Sequence, residues 1–164
     1  MTAIDEAALK RHIGARMIEE DLATAVPIKM LIATFDRPEK APADGDAIPT
    51  GWHCGYFLNM APQSTLLHDG LPQGAGVLPP IPLPRRMFAG IRLSFSDDIR
   101  VGDRLRRETE LTDISVRKGS TGTLIFATQT RKIFTPRGLA VTEVYDGAFR
   151  EEVKAGEKSG IDRK

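Results

Sequence analysis

Residues 79–103 read PPIPLPRRMFAGIRLSFSDDIRVGD, and their pattern decides the fold class. Prolines at 79, 80, 82 and 84 forbid a helix and stiffen the approach to Arg85 and Arg86. Beyond Met87-Phe88 and the small pair Ala89-Gly90, the apolar residues Ile91, Leu93 and Phe95 alternate with Arg92 and Ser94. A period of two is the mark of a strand with one face buried. Val101-Gly102-Asp103 then supplies a turn into the next strand. This stretch divides a helical or irregular first half from a second half that reads as antiparallel sheet.

Downstream, residues 105–114 place Arg106, Glu108, Glu110 and Thr112 on one solvated face. The run Lys118-Gly119-Ser120-Thr121-Gly122 predicts a hairpin. Residues 123–134 form the longest β-prone run, and Pro136-Arg137-Gly138 makes the next turn. Residues 139–149 follow, with Val141, Glu143, Tyr145 and Phe149 on one side. The charged residues 151–164 are expected to fray.

Upstream, residues 5–12 predict a short helix, followed by a connector or edge strand. Ile28, Leu31, Ile32 and Phe35 lie at i, i+3, i+4 and i+7, a helical stripe over residues 22–35. Thr24 is the expected cap, Pro27 falls in the first turn, and Pro38 and Pro42 prevent continuation past Asp36. Trp52, Tyr56 and Met60 repeat every four residues, which predicts a buried helix stopped by Pro62. The proline-rich loop over residues 62–84 reads as a functional or interface element. The sum is α+β: two helical segments, then about four antiparallel strands in a meander, with the helix over residues 52–60 lying across the sheet.

Composition limits the function. The chain has 164 residues, the size of one domain, with net charge +1 and 41% hydrophobic residues. That charge gives no electrostatic case for nucleic acid or an acidic membrane. Cys54 is the lone cysteine and excludes an internal disulfide. With three scattered histidines it forms no metal-ligand spacing, so neither metal nor cofactor is expected. The sequence lacks an apolar run long enough to span a bilayer and a signal-peptide pattern at its start, and so predicts a cytoplasmic protein.

The strings PLPRRMFAGIRLSF, GWHCGYFLNMAPQSTLLHDG and LAVTEVYDGAFR resemble a known family. Over residues 13–150 the chain is similar to the N-terminal, MaoC-like domain of bacterial acyl-CoA hydratases of the mesaconyl-CoA or 3-methylfumaryl-CoA type. These are relatives of the mitochondrial 3-hydroxyacyl-thioester dehydratases. The resemblance implies a single hot-dog fold, an antiparallel sheet wrapped around a central helix. It also implies acyl-CoA thioesters as substrate or ligand.

Full-length members of the family it resembles have two hot-dog halves, and the second carries an Asp-x-Asn-Pro-x-His motif at the end of its first helix. Its Asp and His activate water for addition to an enoyl thioester, or accept a proton in the reverse direction. Here Asp36 is followed by Arg37-Pro38-Glu39-Lys40-Ala41, so proline stands at the Asn position and alanine at the His position. The resemblance therefore implies a non-catalytic, substrate-shaping half with no catalytic residues of its own. It further implies a heterodimer with a separately encoded MaoC-like catalytic subunit, or a homodimer in isolation.

The candidate substrate-contacting residues fall in two groups. Trp52, His53 and Tyr56 belong to the predicted helix, where His53 either faces an acyl-thioester pocket or is a core histidine. Arg85, Arg86, Phe88 and Gly90 belong to the central strand. The arginines suit either coenzyme A phosphates or an interface salt bridge. Phe88 is either core or substrate wall, and Gly90 permits either close approach of a ligand or a bulge. His12 and His68 sit in polar contexts and receive no role. Gly119-Ser120-Thr121-Gly122 lacks the ending of a phosphate loop, and neither Ser64 nor Cys54 has a base at a recognisable offset. Two other functions remain open. One is a stand-alone hydratase or thioesterase using Asp36, Glu143 or Asp146; the other is a non-enzymatic acyl-CoA binding module.

Overall fold

The computed structural model describes residues 4–67, 70–72, 76–119 and 122–151. Helix α1 (Glu6–Lys10) starts at Asp5, whose Oδ1 accepts a hydrogen bond from the Ala8 N–H at 2.9 Å. Gly14, at φ 90°, turns the chain into β1 (Arg16–Leu22), whose residues alternate between exposed and half-buried. Helix α2 (Ala25–Thr34) begins after Thr24 and carries Pro27 in its first turn. It ends where Asp36 enters the left-handed region at φ 49°. Strands β2 (Arg85–Phe95), β3 (Arg104–Gly119), β4 (Gly122–Thr135) and β5 (Gly138–Arg150) complete one five-stranded antiparallel sheet. Among the described residues, no helix is long and apolar enough to cross a membrane.

The sheet order is β1-β3-β4-β5-β2. Only β3, β4 and β5 form the expected meander. The strand expected to be central, β2, is an edge, paired with β5 in the register Leu93↔Glu143. The chain leaves β2 through Ser96, whose N–H bonds to the Ala140 carbonyl at 2.7 Å, and crosses the end of the sheet before entering β3. Gly102, at φ 98°, completes that turn. Arg137 holds the corner together by donating to both carboxylate oxygens of Asp103, to Asp97 and to the Asp98 carbonyl. The other edge is β1, paired with β3.

The helix expected to cover the sheet is absent as well. Residues 52–60 form a single 3₁₀ turn, Trp52–Gly55, rather than a helix. Gly51 enters the turn at φ 87°, and Phe57 leaves it at φ 57°, so the four-residue spacing of Trp52, Tyr56 and Met60 never becomes helical. Glycine suits position 55 because a Cβ there would lie 3.0 Å from the Pro27 Cβ, a contact that one of the two segments would have to yield to accommodate. The turn therefore packs tightly on α2, and α2 alone plays the part of the central helix of the hot-dog fold. The tip of the β3–β4 hairpin, His68 and the tail beyond Glu151 lie outside the described residues.

The buried side chains form two clusters on the covered face of the sheet. One holds Ile28 of α2 with Tyr56, Ile99, Leu105, Ile133 and Val141. The other holds Leu9 of α1 with Val77, Leu83, Leu111, Ile125 and Phe149. Thus α2 covers one end of the sheet, and α1 with residues 77–83 covers the other. Ile28 is the buried anchor of α2, whereas Met30 on the same helix is exposed. Ile28→Ala should lower stability by about 3 kcal/mol in urea unfolding, from lost burial plus a cavity. Met30→Ala should change it by less than about 0.5 kcal/mol.

Candidate functional site

Directly opposed residues of an antiparallel sheet share a face. One such row crosses the whole sheet: Met17, Thr109, Arg131, Glu143 and Leu93. The row beside it contains Leu111, Gln129 and Tyr145. Between the two apolar clusters the covered face is therefore polar. Each strand shows the change along its own inward positions. Strand β4 runs Ile125, Ala127, Gln129, Arg131, Ile133, and β5 runs Val141, Glu143, Tyr145, Gly147, Phe149.

A cavity of about 260 Å³ lies over this polar belt. Thr109, Gln129, Arg131 and Tyr145 line its sheet side, and Met17, Leu78 and Phe149 supply apolar wall. Arg107 also lines it but is occupied: it donates to both carboxylate oxygens of Glu19 at 2.9 and 2.8 Å. Its guanidinium lies 4.5 Å from the centre of the Phe57 ring. Arg131 stacks on Tyr145 at 4.9 Å, and its NH1 is 3.6 Å from Glu143 Oε2, too far for a hydrogen bond.

Glu143 is held from behind by His53. The 3₁₀ turn brings His53 Nε2 to 2.9 Å from Glu143 Oε1, and Phe95 packs edge-on against the imidazole with ring centres 5.8 Å apart. His53 and Glu143 are 5% and 7% exposed, so the pair is almost closed to solvent. Burial pushes the Glu143 carboxyl up, but the hydrogen bond from His53 and the charges of Arg131 and Arg107 outweigh it and hold the group below its ordinary value. The ionised carboxylate accepts from the His53 ring N–H.

The structure separates the residues singled out from sequence. Arg86 lines the cavity, with its guanidinium 5.9 Å from the Phe149 ring. Phe88 is exposed on the β2 edge and touches Tyr145 at a ring distance of 5.7 Å. Arg85 is exposed at the start of β2. Gly90 sits at an irregularity in the β2–β5 register, and a Cβ there would meet nothing within 4 Å, so the bulge rather than a close approach accounts for it. His53 faces a recess of about 30 Å³ beside Phe95 instead of the larger cavity. Trp52 packs edge-on against Phe35. Tyr56 is core: its hydroxyl donates to the Thr24 carbonyl at 2.9 Å, and burial, with Asp21 nearby, pushes its pKa up to about 12. Thr109, Gln129 and Arg131 escaped sequence reading, although polar residues breaking an otherwise apolar inward series were there to mark them.

The comparisons fit this geometry. Residues 51–163 match the family model described as hydroxyacyl-thioester dehydratase type 2. The mesaconyl-C(4)-CoA hydratase of Chloroflexus aurantiacus is 41% identical over 134 residues, which cover 82% of this chain and 48% of that protein. The chain thus spans about half the length of the curated relative it matches. Among solved structures, a MaoC-like dehydratase from Rhodospirillum rubrum superposes with a TM-score of 0.52 at 24% identity, over 86% of this chain and 94% of that one. The ChsH1–ChsH2 complex of Mycobacterium tuberculosis gives 0.54 at 12% identity, over 96% and 95%. These two likenesses are of fold.

Replacing Glu143 by Gln should cost about 2 kcal/mol at pH 7, because a buried charge-assisted hydrogen bond is lost. A depressed folded pKa stabilises the protein above the unfolded value and ceases to do so as pH falls through the folded one. The gap between wild type and Glu143→Gln in urea unfolding should therefore narrow below pH 4.5, the ordinary glutamate value.

Proposed function

Because this chain belongs to the hydroxyacyl-thioester dehydratase type 2 family, we propose that it is the substrate-shaping, non-catalytic half of a hydratase or dehydratase acting on enoyl-CoA and 3-hydroxyacyl-CoA thioesters. The observation that carries this reading is the end of α2. Asp36 stands there exposed, and the following Arg37-Pro38-Glu39-Lys40-Ala41 contains no histidine to work with it. Arg37 and Glu39 pair with each other instead. The next histidine in the chain is His53, which is sealed against Glu143.

In this reading water addition needs an Asp and a His from a second hot-dog domain. This chain contributes the cavity above the polar belt, which receives the acyl group. A volume near 260 Å³ lies at the small end of ligand sites and suits a short or branched acyl group better than a long chain. The match to half of a longer relative supports a division of labour between two domains. The β2 edge supports the pairing, since Phe88, Ile91, Leu93 and Phe95 are exposed along it and an open strand edge is stabilised by a partner strand. The proposed setting is the cytoplasm, which the exposed thiol of Cys54 supports.

The test is hydration of crotonyl-, mesaconyl- and cinnamoyl-CoA by the chain alone and after mixing with a MaoC-like subunit that carries the Asp-x-Asn-Pro-x-His motif. General acid–base catalysis contributes on the order of a thousandfold, so the mixture should exceed the isolated chain by about that factor. Turnover by the isolated chain at the rate of the mixture would overturn the reading.

A further inference from the structure

Two spaces on the covered side of the sheet share a wall. The cavity over the polar belt, of about 260 Å³, is bordered by Phe57. A groove of about 430 Å³ lies on the other side of that ring, beside β1 and the start of α2. Among the described residues, Glu19 and Phe57 alone border both spaces. The chain after Phe57 runs between them: Asn59 lines the cavity, whereas Leu58 and Met60 line the groove. Phe57 stands on the ion pair of Glu19 and Arg107, which oppose each other directly on β1 and β3. Its ring centre is 4.5 Å from the Arg107 guanidinium, a contact that leaves no room for a methylene chain between them.

The backbone at Phe57 is held where an aromatic residue does not rest by itself. Its φ of 57° lies in the left-handed region, which is costly for a bulky side chain. Asp21 holds it there by accepting the Phe57 N–H at 2.6 Å, and the half-buried ring packs against the cluster around Ile28. Such strain persists only where the surroundings fix it, and here it sets the ring across the passage between the two spaces. We propose that Phe57 determines the length of acyl group that the cavity accepts, by closing it off from the groove. This rests on the reading of the cavity as the acyl pocket. The groove has the chemistry to hold further methylenes: Pro27, Leu58 and Met60 line it, and the last two are 63% and 93% exposed. Removing the ring joins the two spaces.

Butyryl-CoA and octanoyl-CoA differ by four methylenes, each of which strengthens binding about fourfold when fully buried. In titration calorimetry the full chain should bind butyryl-CoA about tenfold more tightly than octanoyl-CoA, because the longer group does not fit behind Phe57. Phe57→Gly removes the ring and suits the left-handed backbone; it should raise the affinity for octanoyl-CoA about tenfold and change that for butyryl-CoA by less than about twofold. Phe57→Leu keeps part of the bulk and should raise octanoyl-CoA affinity about threefold, a second reading should the glycine variant not fold. In the Phe57→Gly background, Met60→Ala should weaken octanoyl-CoA about twofold, since the end of the chain then lies in the groove. Octanoyl-CoA binding to the wild type as tightly as butyryl-CoA would overturn the proposal. So would folded Phe57 variants with unchanged octanoyl-CoA affinity, or no effect of Met60→Ala, and each of these leaves the acyl-pocket reading standing. Binding of neither ester, to the chain alone or with a catalytic partner, would overturn both.

Discussion

The rest of the structure follows from a mismatch of length. Helix α2 has ten residues and is about 15 Å long, while β3 alone has sixteen and extends about 50 Å. A helix that short covers only part of the sheet. Its buried anchor, Ile28, serves the cluster around Leu105, Ile133 and Val141, and the cluster around Leu111, Ile125 and Phe149 is closed by other segments. Between them the sheet is roofed by irregular segments around Phe57, Asn59, Leu71 and Leu78 instead of by helix, and there its inward residues change from apolar to polar.

The polar belt is organised so that its charges are not stranded. Glu143 is braced by His53, whose ring is held by Phe95, and it stands beside Arg131, which rests on Tyr145. His53 thus acts on the cavity indirectly. Its approach to β5 depends on the 3₁₀ turn, and that turn depends on Gly55 lying flat against Pro27. A short stretch of backbone geometry near α2 thus bears on the electrostatics of a cavity lined by all five strands.

The β half of the molecule was legible because alternation is a local signal. Ile91, Leu93 and Phe95, the turn at Gly102 and the glycine-bounded hairpin between β3 and β4 each reveal their conformation in a few residues. The crossover that sends β2 to the far edge is invisible at that range, since it depends on pairing with β5, some fifty positions on. The repeat of Trp52, Tyr56 and Met60 misled because equal spacing resembles helical period whether or not the backbone follows it. The glycines at 51 and 55 were the contrary signal. The site was half legible: Glu143 and His53 were visible as chemistry, but their contact joins segments ninety positions apart. Gln129 and Arg131 read as ordinary polar residues until the face they occupy is known.

The sheet order also sets the sequence of events in folding. Strands β3, β4 and β5 are joined by tight hairpins and can pair within microseconds of one another, because the loops to be closed are short. Strand β1 reaches β3 through Met17 and Thr109, and β2 reaches β5 only after the chain has looped around two strands. Such distant pairings raise contact order and slow the final steps. The central hairpins are therefore expected to form first as a scaffold, with the two borders of the sheet closing over it last. In that order the long middle strands would exist for a time without their flanks, and it is then, rather than in the finished fold, that their edges would be open to mispairing.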